Sequence, residues 1–307
     1  MTANSSLEKS VPWWVRARAP WKGDLFDRTV LATGSPEEER IQTLRQAVLA
    51  RYRGGKRRLS VAKALISTRS YQETEGLHPA LRRAIAMDRV FREISIALLP
   101  GQLLMGTSSS GPHRVDFYGE FLRPSPQSLI QGAEAPSPLE GAEKKYVIEP
   151  EDRQLFERQI WPYWGTRSKA AHIINEMQRQ YPEAWMYLRF SDCCEMWPGG
   201  ALYHTIQDYA SILRRGLLAT MEEIKVSIAG LDAGSPTGMS DYDRRNQYEA
   251  MLIVADGLLA YARRNAELAD SLASEEPNPR RAAELREMAR ICRKVPAYPA
   301  ESWWEAL

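Results

Sequence analysis

The run Ala250-Met251-Leu252-Ile253-Val254-Ala255 lies at the centre of a stretch, Asp241 to Ser274, that keeps helical periodicity throughout. A surface helix confines its apolar residues to one stripe, whereas a helix apolar all round belongs in a core. The stretch therefore predicts a long helix with a buried centre. Two more helical patterns flank it. One covers about Ala201 to Ala229, with Ile206, Leu213, Leu217, Ile224 and Ile228 on one stripe. The other covers Arg280 to Lys294, after the interruption Glu276-Pro277-Asn278-Pro279 and before the Pro296 and Pro299 turn.

The first half is helical too, with more punctuation. Ser35-Pro36-Glu37-Glu38 supplies a cap, a proline at the first helical position and acids in the first turn, predicting a helix over about 36–52. A second helix is expected from Ser60 to Ser70. A third opens at His78-Pro79 and runs through Leu81, Ile85, Val90, Ile94 and Leu98 to Pro100-Gly101. Gln102 to Thr107 reads as a short buried strand, and Ser108 to Glu149 as a long irregular excursion rich in Ser, Pro and Gly. Helices are expected again over Pro150–Tyr163 and Thr166–Gln180, followed by a loop at Ser191–Gly200. Residues 1–34 read as a Trp-rich leader, and residues 35–307 as one body, mostly α with minor β.

The charge balance, 41 Lys and Arg against 39 Asp and Glu, sets up no whole-chain field for nucleic acid or an anionic membrane. The basic run Arg51 to Arg58, with Tyr52 inside it, could contact phosphates. The plainer reading is a solvated turn at Gly54-Gly55 beside a helix end that favours cations. Cys193, Cys194 and Cys292 make no disulfide framework, which fits a reducing cytoplasm. There is no apolar run of signal-peptide or membrane-spanning type. His78, His113, His172 and His204 are too scattered for a metal site. Gly106 to Gly111 lacks the Gly-Lys-Ser/Thr ending of a phosphate loop.

Several separated segments stand in a recognisable order. They are Glu39-Arg40-Ile41 with Leu44-Arg45, Tyr71 to Gly76, Arg82-Arg83-Ala84, Pro100 to Gly106, and Trp161-Pro162-Tyr163-Trp164. Further on come His204 to Tyr209, Arg215-Gly216-Leu217, Tyr261 to Arg264, Arg290-Ile291-Cys292 and Ser302 to Ala306. In order and interval this set resembles the N-terminal region of the glycyl radical enzymes, the family of pyruvate formate-lyase and of the glycerol and propanediol dehydratases.

The resemblance implies the N-terminal helical portion of a ten-stranded β/α barrel, truncated before the barrel is complete. It also implies thiyl radical chemistry that makes or cleaves a C–X or C–C bond in a small organic substrate, of dehydratase/lyase or formate acetyltransferase type. The glycyl radical would be installed by a separate radical S-adenosylmethionine activating enzyme, and the intact enzyme would be a homodimer. The family's Gly-Cys-x-Glu and Arg-Val-x-Gly-Tyr strings are absent from these 307 residues. The expectation is a chain with no catalytic residue of its own, silent unless a C-terminal part is supplied, on this polypeptide or a separate one. A non-catalytic helical scaffold that binds a protein partner is the alternative, and Trp303-Trp304 would suit it as an aromatic anchor.

By this resemblance His204 matches a histidine that bonds substrate hydroxyls at the start of a helix. A helix N-terminus lends positive potential, and a neutral imidazole can donate or accept. Tyr203 departs from the family's glycine at that place, and a histidine satisfied within its own helix is the competing reading. Asp208, one turn on, could orient the His204 ring. Arg189, in a segment that family members vary with substrate, could pair with a carboxylate or sulfonate, or form an ordinary salt bridge. Cys292, on the apolar side of the last helix, reads as a small buried hydrophobe.

Overall fold

A computed structural model describes residues 36–53, 57–106, 110–111, 114–121, 146–184, 207–233 and 239–307. The chain divides into one unit that ends at Arg53 and one that begins at Gly54. Residues 1–34 and the expected loop at 191–200 lie outside the described residues. In the first unit α1 (Pro36–Arg53) covers nearly the span expected, about 36–52.

The second unit begins with β1 (Arg57–Ser60), α2 (Ala62–Glu73) and α3 (Pro79–Glu93). β2 (Arg114–Asp116), a 3₁₀ turn at Gly119–Phe121 and β3 (Tyr146–Val147) follow. Then come α4 (Pro150–Leu155), a π-helical turn at Phe156–Ile160, α5 (Trp161–Arg167) and α6 (Lys169–Gln180). The remaining elements are α7 (Tyr209–Ala233), α8 (Met239–Glu275), α9 (Pro279–Lys294) and α10 (Trp303–Ala306). The three short strands make one parallel sheet in the order β2-β1-β3, with Leu59 opposite Val115 and Arg58 opposite Val147. Mostly α with minor β is therefore correct. The basic run ends inside β1, where Arg58 Nε lies 3.2 Å from Glu149.

Several expected boundaries move, each for a local reason. The helix expected from Ser60 starts at Ala62, because Ser60 ends β1 and its hydroxyl accepts from Ala62 N–H at 3.2 Å. The third helix stops at Glu93 rather than near Leu98. Ile94 turns to ψ 139°, and the Arg264 guanidinium donates to the Phe91 and Ile94 carbonyls, each at 2.6 Å. Gln102 to Gly106 forms no strand. The Pro100-Gly101 turn is closed by Gln102 N–H on Leu99 O, and Leu103 O accepts from the Trp304 indole at 2.8 Å. The break before α6 falls at Ser168, whose hydroxyl accepts from Ala171 N–H, and not at Thr166.

Around the sheet, Val61, Ala64, Phe156, Ile160, Tyr163 and Trp164 form one core. The Trp164 indole donates to Thr68 Oγ1 at 2.8 Å, and its ring meets Tyr71 edge to face. Arg82 donates to Tyr71 O and to the Tyr163 hydroxyl at 2.7 and 3.0 Å. Three separated segments singled out in the sequence thus meet at one place.

α3 lies along the first part of α8, tied by His78 Nε2 to Asp243 at 3.2 Å at one end and by Arg264 at the other. At Gly257 the two helices approach so closely that a Cβ would stand 2.9 Å from Asp88 Cα. α9 folds back on the last part of α8, where Ala266, Ala269, Ala273, Leu285, Met288 and Ala289 form a second core. Asn278 caps α9 by accepting from the Arg280 and Arg281 N–H groups. α7 is not the continuous helix expected. At Gly216 it breaks with φ +76°, and the Leu217 and Leu218 N–H groups donate to Pro296 O and Ala297 O at 2.8 and 3.1 Å.

Candidate functional site

Of the residues picked out for substrate binding, Arg189 and His204 lie outside the described residues, as do His113, Cys193 and Cys194. Asp208 is described. It is exposed just before α7, and its Oδ1 accepts from Ser211 N–H at 3.0 Å. That carboxylate caps the helix and complements its positive end. Among the described residues no group of three or more His, Cys, Asp or Glu is placed to hold a metal.

Sequence reasoning passed over a polar cluster at the carboxyl ends of the three parallel strands, the edge where open α/β sheets take ligands. Lys63 Nζ stands 5.5 Å from the Tyr118 ring centre, and burial lowers its pKa against the pull of Asp116. Asp116 Oδ2 accepts from Ser110 N–H at 2.6 Å, while its buried Oδ1 has no hydrogen-bond partner. Ser110 donates in turn to Ser60 Oγ at 2.9 Å. The Arg83 guanidinium sits 4.9 Å from the Tyr118 ring centre and pairs with Glu120. Burial also raises the Asp152 carboxyl nearby. Each cation here faces a carboxylate and the Tyr118 ring. The cluster ties the strand ends together, Lys63 against Asp116 and Arg83 against Glu120. Lys63 inside the apolar run Val61–Ile66 was the signal available in the sequence.

A hollow of about 430 Å³ gathers the later motif segments. Leu103 to Gly106, Tyr209 to Leu213, Tyr261 to Asn265, Met288 to Cys292 and Trp304 to Leu307 all contribute to its wall. α7 supplies Ile212 and Leu213 because its first turns lead away from the Asp208 cap. α10 is held over the wall by Trp304 on Leu103 O and by Glu305, whose carboxylate accepts from Lys294 Nζ (2.7 Å), Glu301 N–H (2.7 Å) and Arg290 (2.8 Å). These partners hold the Glu305 carboxyl down at about 2, the Lys294 bond contributing most.

Cys292 packs beside the Ala and Leu core, and burial pushes its thiol up to about 11. It was expected as a small buried hydrophobe and is half-buried, at the edge of that core and in the wall of the hollow. With Glu305 engaged by Lys294, Glu301 N–H and Arg290, the described residues give the hollow a mainly apolar wall. Its chemistry is that of packing. A second hollow of about 410 Å³, lined by Leu217, Met221, Ile224, Met251 and Val254 among others, lies beyond Leu258, which lines both.

A family model described as pyruvate formate lyase-like matches residues 33–307. The chain is 30% identical over 300 residues to the isethionate sulfite-lyase of Oleidesulfovibrio alaskensis, covering 89% of this chain and 34% of that protein. It is 23% identical over 252 residues to the trans-4-hydroxy-L-proline dehydratase of Clostridioides difficile, covering 81% of this chain and 30% of that one. The chain spans about a third of the length of the curated relatives it matches. Its fold is similar to that of the glycerol-bound B12-independent glycerol dehydratase from Clostridium butyricum. There the TM-score is 0.70 at 23% identity, covering 87% of this chain and 32% of the other.

Proposed function

Because the chain belongs to the pyruvate formate lyase-like family of glycyl radical enzymes, we propose that it is the N-terminal third of a lyase or dehydratase. That enzyme would cleave a C–X bond in a small hydroxylated substrate bearing a sulfonate or carboxylate. The observation that carries this reading is the family match over 33–307 together with relatives named for sulfite elimination and dehydration. A formate acetyltransferase is the less supported member of the same class.

In this reading His204 bonds a substrate hydroxyl, Arg189 pairs with the anionic group through two donors, and Asp208 fixes the helix start beside His204. The family's radical, where present, supplies hydrogen-atom abstraction. The family's glycine and cysteine loop strings are absent from these 307 residues, and among the described residues Cys292 stands in an apolar wall beside a Glu305 already engaged by Lys294. The 307 residues therefore position substrate and support the barrel, and bond cleavage belongs to the remaining two-thirds. The assembled enzyme is a cytoplasmic homodimer, activated by a separate radical S-adenosylmethionine enzyme.

The test is anaerobic co-expression of the chain with the downstream polypeptide that carries both loops and with its activase. An organic radical in the electron paramagnetic resonance spectrum and sulfite release from isethionate, or water loss from a hydroxylated acid, are expected only from the combination. Absence of a radical from the combination overturns the reading, as does turnover by the chain alone. Protein binding without any radical would favour the scaffold.

A further inference from the structure

We propose that Glu305 is a positioning residue for substrate binding: it grips a strap of residues 296–301, and the strap sets the direction of the helical segment 209–215 that follows Asp208. This rests on the functional reading above, which gives the substrate hydroxyl to His204, and adds what holds that part of the chain in line.

In an unbroken α-helix Leu217 N–H would bond Leu213 O, and Leu218 N–H would bond Arg214 O. At Gly216, with φ +76° and ψ 166°, that pattern stops. Leu213 O instead accepts from Ala300 N–H at 3.0 Å, while Leu217 and Leu218 N–H donate to Pro296 O and Ala297 O. The strap has entered the helix ladder and taken a place on both sides of the break. The direction of 209–215 is therefore set by the strap and not by the rest of α7. Arg215 also pairs with Glu223 across the break, but both are exposed, and an ion pair in water fixes a direction weakly.

Two consecutive amides carry the coupling. Ala300 N–H clamps the helical segment, and the next, Glu301 N–H, donates to Glu305 Oε2 at 2.7 Å. The same oxygen accepts from Lys294 Nζ and the other from Arg290, both on α9, so the buried Glu305 ties the strap to a helix packed in the second core. α10 has its own cap in Ser302 and its own anchor in the Trp304 indole, which leaves the charge-assisted bonds of Glu305 to serve the strap. Asp208 caps the segment so held, and His204 precedes it by four residues in the chain. Tilting 209–215 would draw the histidine off the substrate hydroxyl. Losing a bond made in ground and transition states alike raises KM and spares kcat.

The first arm of the experiment reads backbone hydrogen exchange on the full 307-residue chain. Glu305→Gln should speed exchange at Leu217, Leu218 and Ala300 by about tenfold or more. The rest of α7 should be unaltered, including the stretch around Val226, which is 66% exposed and lines neither hollow. Glu301→Gln removes a carboxylate that is 81% exposed but keeps the Glu301 N–H, and should change nothing. The second arm assembles the chain anaerobically with the loop-bearing downstream polypeptide and activase, with isethionate and trans-4-hydroxy-L-proline as probes. Glu305→Gln should raise KM about fivefold, the scale of one hydrogen bond, with kcat per radical nearly unchanged. Gly216→Ala, whose Cβ would stand 2.5 Å from Ala297 O, should move KM the same way.

Unchanged exchange at Leu217, Leu218 and Ala300 in Glu305→Gln overturns the proposal. So does an unaltered KM accompanied by a lower radical yield, the signature of a merely structural role. If Glu305→Gln proves unfolded by circular dichroism, Glu305→Asp, which keeps the charge and shortens the reach, takes its place in both arms. The two readings fail separately. A radical with exchange and KM unmoved in the variant ends this inference only. No radical from the unaltered assembly ends the proposed function, and the exchange arm then judges the strap alone, as it does if neither probe is turned over.

Discussion

Glu305 shows how one side chain can hold a chain segment in place. Its carboxylate gathers Lys294, the Glu301 N–H and Arg290, and its pKa falls to about 2, so the interaction favours the ionised form. A carboxyl depressed in the folded state adds stability that is complete above its unfolded pKa of about 4.3 and is lost as pH falls towards the folded value. Docking of α10 should therefore weaken between about pH 4.5 and pH 2. The Trp304 indole, bonded to Leu103 O, should report the release as a change in fluorescence. Glu305→Gln should show the released signal already at pH 7 and lose the acid transition. A transition that persists unchanged in that variant would assign it to another group. Glu305 and Arg290 stand in two of the segments singled out in the sequence, but their contact was not legible, since a carboxylate in Ser302 to Ala306 has the same composition whether it hangs in water or closes a three-donor clasp.

At the level of elements, what was legible followed from periodicity and what was missed followed from tertiary contacts. α1, α8 and α9 lie close to their expected spans because caps, first-turn acids and apolar spacing are local signals. The early end of α3 was hidden because its cap comes from Arg264, 170 residues away from Ile94. Arg264→Ala should remove two charge-assisted bonds to the α3 terminus and cost about 2–3 kcal/mol in denaturant unfolding. Arg264→Lys should recover only part of that, because an ammonium lacks the planar fork. The break in α7 was hidden for a similar reason. Gly216 adopts φ +76°, and a Cβ there would stand 2.5 Å from Ala297 O and 2.7 Å from Tyr298 Cα. Gly216→Ala should cost about 1–3 kcal/mol from the backbone conformation alone and more from that contact. Thermal unfolding should show it as a drop of several degrees. An unchanged melting temperature would mean that the 296–298 turn yields freely. Of the candidate site, Asp208 could be followed to a helix cap, whereas Arg189 and His204 fall outside the described residues.

For the whole molecule, the feature that most constrained the fold also defines what the fold leaves open. An all-round apolar segment such as Ala250 to Ala255 asks for packing on every side, and the folded chain meets only part of that demand, burying Ala250 and Ala255 but not Met251. Met251 and Leu213 remain accessible beside hollows of about 410 and 430 Å³. An apolar dye such as 8-anilinonaphthalene-1-sulfonate should therefore bind the native chain at neutral pH and fluoresce. Dye binding is also what a molten globule shows, so the measurement needs a companion. The native chain should keep its near-ultraviolet dichroism and unfold cooperatively while the dye is bound, since the Trp164 and Met288 cores are closed and fixed. Leu213→Asp should lower the dye signal without altering the dichroism, and Val226→Asp should change neither. Equal dye binding by both variants would place the open apolar surface elsewhere on the chain. Loss of the dichroism in the native chain would mean that its side-chain cores are not fixed.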